Sequence, residues 1–100
     1  MFSKLKLWWY YKCIRSAVNW YFYNKEQVEE WEQRYIADTP ETKLKQQYYI
    51  QKHKDGMKEA RRSLLYTFNV PEFKWFDIGD GRKIMITRNA GKYDIEVEDV

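Results

Sequence analysis

The sequence is poor in the residues that most often announce a chemistry. Its 100 residues include one cysteine, one histidine, four glycines and two prolines. A single cysteine, Cys13, excludes an intramolecular disulfide and a paired Cys-x-x-Cys motif, and it fits a reducing compartment such as the cytoplasm. No Ser-His-Asp set, P-loop or Rossmann glycine fingerprint occurs. With only His53 to offer, an acid–base scheme needs Asp, Glu, Lys or Tyr in a pocket that a domain of this size has little room to build. Long apolar runs are also missing. The N-terminal run is short and broken by Lys12 and Arg15, so it predicts neither a transmembrane helix nor a signal peptide. There are no internal repeats, low-complexity tracts or flexible linkers.

What the chain has in quantity is aromatic residues, 19 in all, within a composition 44% hydrophobic and 33% charged. That balance predicts a single folded domain with a modest core. Bulky rings dominate the stretch LWWYYKCIRSAVNWYFY from Leu7 to Tyr23, whose only charges are positive. Something must cover such a stretch: the protein's own core, a second subunit, a membrane surface or a partner.

The net charge of +3 is built from alternating blocks. Residues 1–22 carry +4 with no acid, residues 23–38 carry −3, residues 39–68 carry +4 and residues 69–100 carry −2. Such blocks suit internal or intersubunit charge matching as readily as an external anion.

Periodicity predicts an α+β fold of order ααβββ, a long antiparallel helical hairpin followed by a three-stranded antiparallel meander. The first helix covers about residues 4–37. Leu7, Tyr10, Ile14, Ala17, Val18, Tyr21, Val28, Tyr35 and Ile36 fall on one arc of it, opposite Lys12, Asn19, Glu26, Glu30 and Gln33. Thr39-Pro40-Glu41 is a helix start: an N-cap hydroxyl, a proline at the first helical position and an acid near the dipole's positive end. The second helix covers about residues 40–68, with Tyr49, Ile50, His53, Met57, Ala60, Leu64 and Phe68 as its core stripe. His53 is thereby expected to be half-buried and satisfied. Gly56 costs that helix about 1 kcal/mol relative to alanine, which suggests a kink or a close helix contact.

After Pro71 the period changes to two, predicting a meander over about residues 73–98. Phe73–Ile78 and Lys83–Arg88 meet at Asp80-Gly81, and Asn89-Ala90-Gly91 leads into Lys92–Val97. Phe76, Ile78, Ile84, Ile86, Tyr93, Ile95 and Val97 share the core face. Asp94, Glu96 and Glu98 share the other and read as a charged edge, with Lys83 and Arg88 as cross-strand partners, rather than as a metal site. No metal or other cofactor is expected.

Three surfaces compete for function. Trp9, Cys13, Trp20 and Trp31 form a second stripe beside the core arc of the first helix, and Trp8, Tyr11 and Phe22 lie on a further side. They are the expected interface for a protein partner or for self-association, because tryptophan is favoured at binding hot spots. Lys54, Lys58, Arg61 and Arg62 form a basic ridge on the second helix, the alternative site for phosphate or nucleic acid, with Tyr48 and Tyr66 near enough in sequence to stack on bases. Lys4, Lys6, Lys12 and Arg15 are not gathered opposite one apolar face, so peripheral membrane contact is disfavoured. The sequence thus predicts a small non-enzymatic interaction protein, an inhibitor or adaptor. Its composition resembles in style the accessory proteins of phages and mobile elements.

Overall fold

The computed structural model describes residues 2–34, 39–89 and 92–100. Helix α1 runs Phe2–Gln33 and α2 runs Pro40–Arg62, continued by a π-helical turn at Ser63–Thr67. Strands β1 (Phe76–Asp77), β2 (Arg82–Asn89) and β3 (Lys92–Asp99) follow, in antiparallel order β1-β2-β3. The α+β order ααβββ is therefore present. Tyr35, Ile36 and Ala37, the Ala90-Gly91 turn and the Tyr93 side chain lie outside the described residues.

The local signals act as expected at the start of α2. Thr39 Oγ1 accepts the backbone N–H of Thr42 at 3.4 Å, Pro40 opens the helix and Glu41 sits in its first turn. The Asp-Gly turn also forms. Gly79 and Gly81 take φ of 87° and 84°, a region that glycine enters without strain. Asp77 and Asp80 accept the N–H groups of Gly79 and Arg82, and Arg82 returns two side-chain bonds to Asp80. Those bonds hold the Asp80 carboxyl below its usual range.

The first strand is much shorter than predicted. The stretch before it is an irregular strap, because Asn69 and Phe73 adopt φ of 53° and 60°, which no strand accommodates. The strap is pinned by Val70 N–H to Leu64 O and by Phe73 N–H to Ile86 O. Phe73 consequently points outward. β3, in contrast, extends two residues past Val97 to Asp99, paired throughout with β2.

One core joins helices and sheet. Ile14, Val18 and Tyr21 of α1 meet Ala60 of α2, Leu64 of the π turn, Val70, Ile78, and Ile84, Ile86 and Ile95 of the sheet. Tyr10 closes one end by donating to the carbonyl of Phe68, and Arg15 donates to Ile78 O at 2.9 Å. Leu7, assigned to the core by its wheel position, is 54% exposed. It lies one turn too far along α1 for the core to reach it.

The helices are locked by a polar node. Asn24 is buried; its Nδ2 donates to Trp20 O at 2.7 Å, and its Oδ1 lies 2.8 Å from His53 Nδ1. Because Asn24 Oδ1 is an acceptor, His53 Nδ1 carries the proton. Gly56 faces Asn24 so closely that a Cβ there would stand 2.7 Å from the carboxamide. Gly56 thus marks a close helix contact, and α2 continues through it without interruption.

Tyr21 ties α1 to the sheet. Its hydroxyl donates to Asp94 Oδ1 at 3.0 Å, and Lys25 pairs with the same carboxylate at 3.6 Å. Asp94 belongs by alternation to the outer face, but β3 is an edge strand, and its carboxylate turns around that edge to α1. Lys83 and Glu98 form the expected cross-strand pair at 3.9 Å. Burial pushes the Tyr21 phenol well above its ordinary 10.0, and the bond to Asp94 and that carboxylate's charge push it further. A group whose folded value is raised stabilises the fold fully below its unfolded value, and that contribution is lost as pH rises. Urea unfolding midpoints are therefore expected to fall above about pH 10. In Tyr21→Phe the alkaline fall becomes shallower, at a cost near pH 7 of about 0.5–1.5 kcal/mol for the lost hydrogen bond.

Candidate functional site

The molecule is elongated, with extents of 59 × 28 × 24 Å and a radius of gyration of 16.3 Å, against about 13 Å for a compact chain of this length. Helix α1 buries one side in the core shared with α2 and the sheet, and its outward side stays largely exposed. That face carries the rings. Trp8 is 55% exposed, Trp9 59%, Trp20 50% and Tyr23 49%. They form two clusters. Lys12 Nζ stands 4.9 Å from the centre of the Trp8 ring and 5.6 Å from that of Trp9, with the two indoles 6.3 Å apart. Two turns further on, Trp20 stacks on Tyr23 at 5.6 Å and 22°. The edge of Tyr23 meets His53 of α2 at 6.2 Å, which links the outer rings to the Asn24 node.

The seven sequence-predicted interface residues divide accordingly. Trp8, Trp9 and Trp20 point into solvent. Cys13 is a free, half-buried thiol between the clusters. Tyr11, Phe22 and Trp31 serve the fold. Tyr11 lies over Phe76 at 6.2 Å, Phe22 packs against the core with its ring edge-on to Tyr21 at 5.1 Å, and Trp31 stacks face to face on Tyr49 at 4.8 Å and 9°. Arg34 covers the other side of Trp31, and Gln46 donates to its backbone oxygen. Sequence reasoning left Leu5 and Tyr23 out of the set. Both lie on the same side of the helical wheel as Trp9 and Trp20, so the signal was available.

Two open grooves follow the seam between α1 and the sheet. One, of about 440 Å³, is lined by Asn19, Phe22, Tyr23, Glu26, Arg82 and Val97. The other, of about 390 Å³, is lined by Lys4, Leu7, Trp8, Tyr11, Arg15 and Gly79. Both border the exposed rings and extend their apolar surface. Among the described residues, no three His, Cys, Asp or Glu side chains converge to hold a metal ion.

The basic ridge of α2 is divided. Lys54 reaches Glu32 of α1 at 4.0 Å, and Arg61 is half-buried, near enough to Tyr21 for its charge to act on the phenol. Lys58 and Arg62 remain exposed. Asp55, beside Lys54 in sequence, accepts from Gln51.

Among the described residues no helix is long and apolar enough to cross a membrane. Compared with protein-family models, with curated proteins and with solved structures, the chain matches none of them.

Proposed function

We propose that this chain is a non-enzymatic interaction protein that works in the cytoplasm as an inhibitor or adaptor. It binds protein surfaces, a second copy of itself or a partner, through the outward face of α1. The observation that carries this reading is that Trp8, Trp9 and Trp20, each at least half exposed, share one helix with Tyr23 and Leu5. Scattered exposed apolar residues are ordinary. Two clusters of exposed rings on one helix are not, because their burial on association removes a large apolar area from water and tryptophan leads the residues found at binding hot spots. The ridge of Lys54, Lys58, Arg61 and Arg62 supports a phosphate-binding reading less well, since Lys54 already faces a carboxylate and Arg61 is held partly inside the fold.

Light scattering on the eluting protein, over a range of concentrations, reads self-association directly. Trp9→Ala and Trp20→Ala are each expected to weaken it by about 2 kcal/mol, roughly 30-fold in dissociation constant. Thermal midpoints should shift by only a few degrees, as for surface positions. Assembly that survives both substitutions undiminished places the interface elsewhere and overturns the reading.

A further inference from the structure

Resting on that reading, we infer that the occupant of this face is a second copy of the chain, paired antiparallel along α1 about a two-fold axis that passes beside Ser16. An antiparallel two-fold pairing requires the contacting row to be palindromic in spacing, because each residue must meet its counterpart at the mirrored position. One row of α1, exposed from Leu5 to Tyr23 and half-buried at Gln27, meets that condition. Leu5, Trp9, Lys12, Ser16, Trp20, Tyr23 and Gln27 are separated by four, three, four, four, three and four residues. At 100° per residue all of them fall within about 40° of Ser16 on the wheel.

In this register Leu5 is level with Gln27 of the second copy, Trp9 with Tyr23 and Lys12 with Trp20. The two aromatic clusters thus fill each other's flanks. The small side chain at Ser16, where the helices cross, permits close approach. The Lys12 ammonium, which already caps the Trp8–Trp9 pair at one end, gains a second ring partner across the axis.

Charge selects the antiparallel direction. Residues 1–22 carry +4 with no acid, while residues 23–38 carry −3. A parallel pair would set the basic half against the basic half, and the antiparallel pair sets basic against acidic. Side by side in an antiparallel pair, each flank faces the same flank of its mate. Lys4, Glu26 and Glu30, all exposed, lie to the same side of Ser16 on the wheel. Lys4 of each copy therefore lies beside Glu26 and Glu30 of the other. The sheet and the core-facing part of α2 pack on the other side of α1, and α2 borders the row at Tyr23, whose ring edge meets His53.

Cross-linking decides the register. In a Cys13→Ser background, Leu5→Cys and Gln27→Cys chains are prepared separately, then mixed and oxidised by air. The expected result is a disulfide-linked dimer in the mixture and none in either chain alone. Ser16→Cys, on the axis, links by itself. Linkage of Leu5→Cys to itself shows parallel pairing and overturns the inference. So does a dimer that links at none of these positions, while loss of assembly in Trp9→Ala would then still sustain the aromatic interface. A wild-type chain that stays monomeric at every concentration also overturns the two-fold pairing and leaves the face to a different protein.

Discussion

Ile14→Ala is expected to remove about 2–5 kcal/mol from the unfolding free energy, whereas Trp9→Ala, five residues away, should change it by less than about 0.5 kcal/mol. Both belong to the same aromatic-rich stretch, yet Ile14 has no solvent exposure while Trp9 is mostly exposed. Ile14 packs where α1, the π turn and the sheet converge, and truncation leaves a cavity that rigid neighbours on three sides cannot collapse. Against a total stability of about 5–15 kcal/mol, that loss is large enough to populate the unfolded chain. Chemical denaturation of the two variants checks the contrast. A comparable loss from Trp9→Ala would show that the outer rings are part of the core and would remove the basis for a binding face.

Gly56→Ala should also destabilise, although helix propensity alone argues the reverse by about 1 kcal/mol. The new methyl would stand 2.7 Å from the Asn24 carboxamide. A flexible surface side chain would swing aside, but Asn24 is buried and held at both ends, to Trp20 O and to His53. Moving it breaks both bonds or separates the helices, and overpacking of this kind costs about 1–3 kcal/mol before the lost bonds are counted. The expected net change is a loss of about 1–3 kcal/mol. A double-mutant cycle with Asn24→Ala isolates the cause. The alanine at position 56 should be far better tolerated once the carboxamide is gone, with a coupling of about 1 kcal/mol or more. Simple additivity would show that the contact is not what constrains Gly56.

Much of the architecture is legible because its signals are local. Thr39-Pro40-Glu41 caps α2 through groups two or three residues apart, and the Asp-Gly turn needs only its own backbone. The core arc from Ile14 through Val28 follows from helical period alone. The first strand is not legible in this way: alternation in Phe73–Ile78 resembles a strand, while the backbone enters the left-handed region at Asn69 and Phe73 to carry the strap from the π turn onto Ile86. No residue-by-residue pattern carries that long-range requirement. Parity alone puts Asp94 on an outer face, and only the position of β3 at the sheet edge brings it to Tyr21 and Lys25.

The candidate face shows the same division. By itself the sequence determined that α1 carries more aromatic surface than one stripe can bury, that its halves differ in charge, and that no recognisable catalytic motif accompanies them. It did not separate Trp31 from Trp20, which fall at nearly the same angle on the wheel. Tertiary structure separated them. Trp31 lies where α2 passes and receives Tyr49 on its face, whereas Trp20 stacks on Tyr23 of its own helix and stays half exposed. Periodicity reports the direction in which a side chain points. Burial depends on whether another element, placed by contacts remote in sequence, stands in that direction.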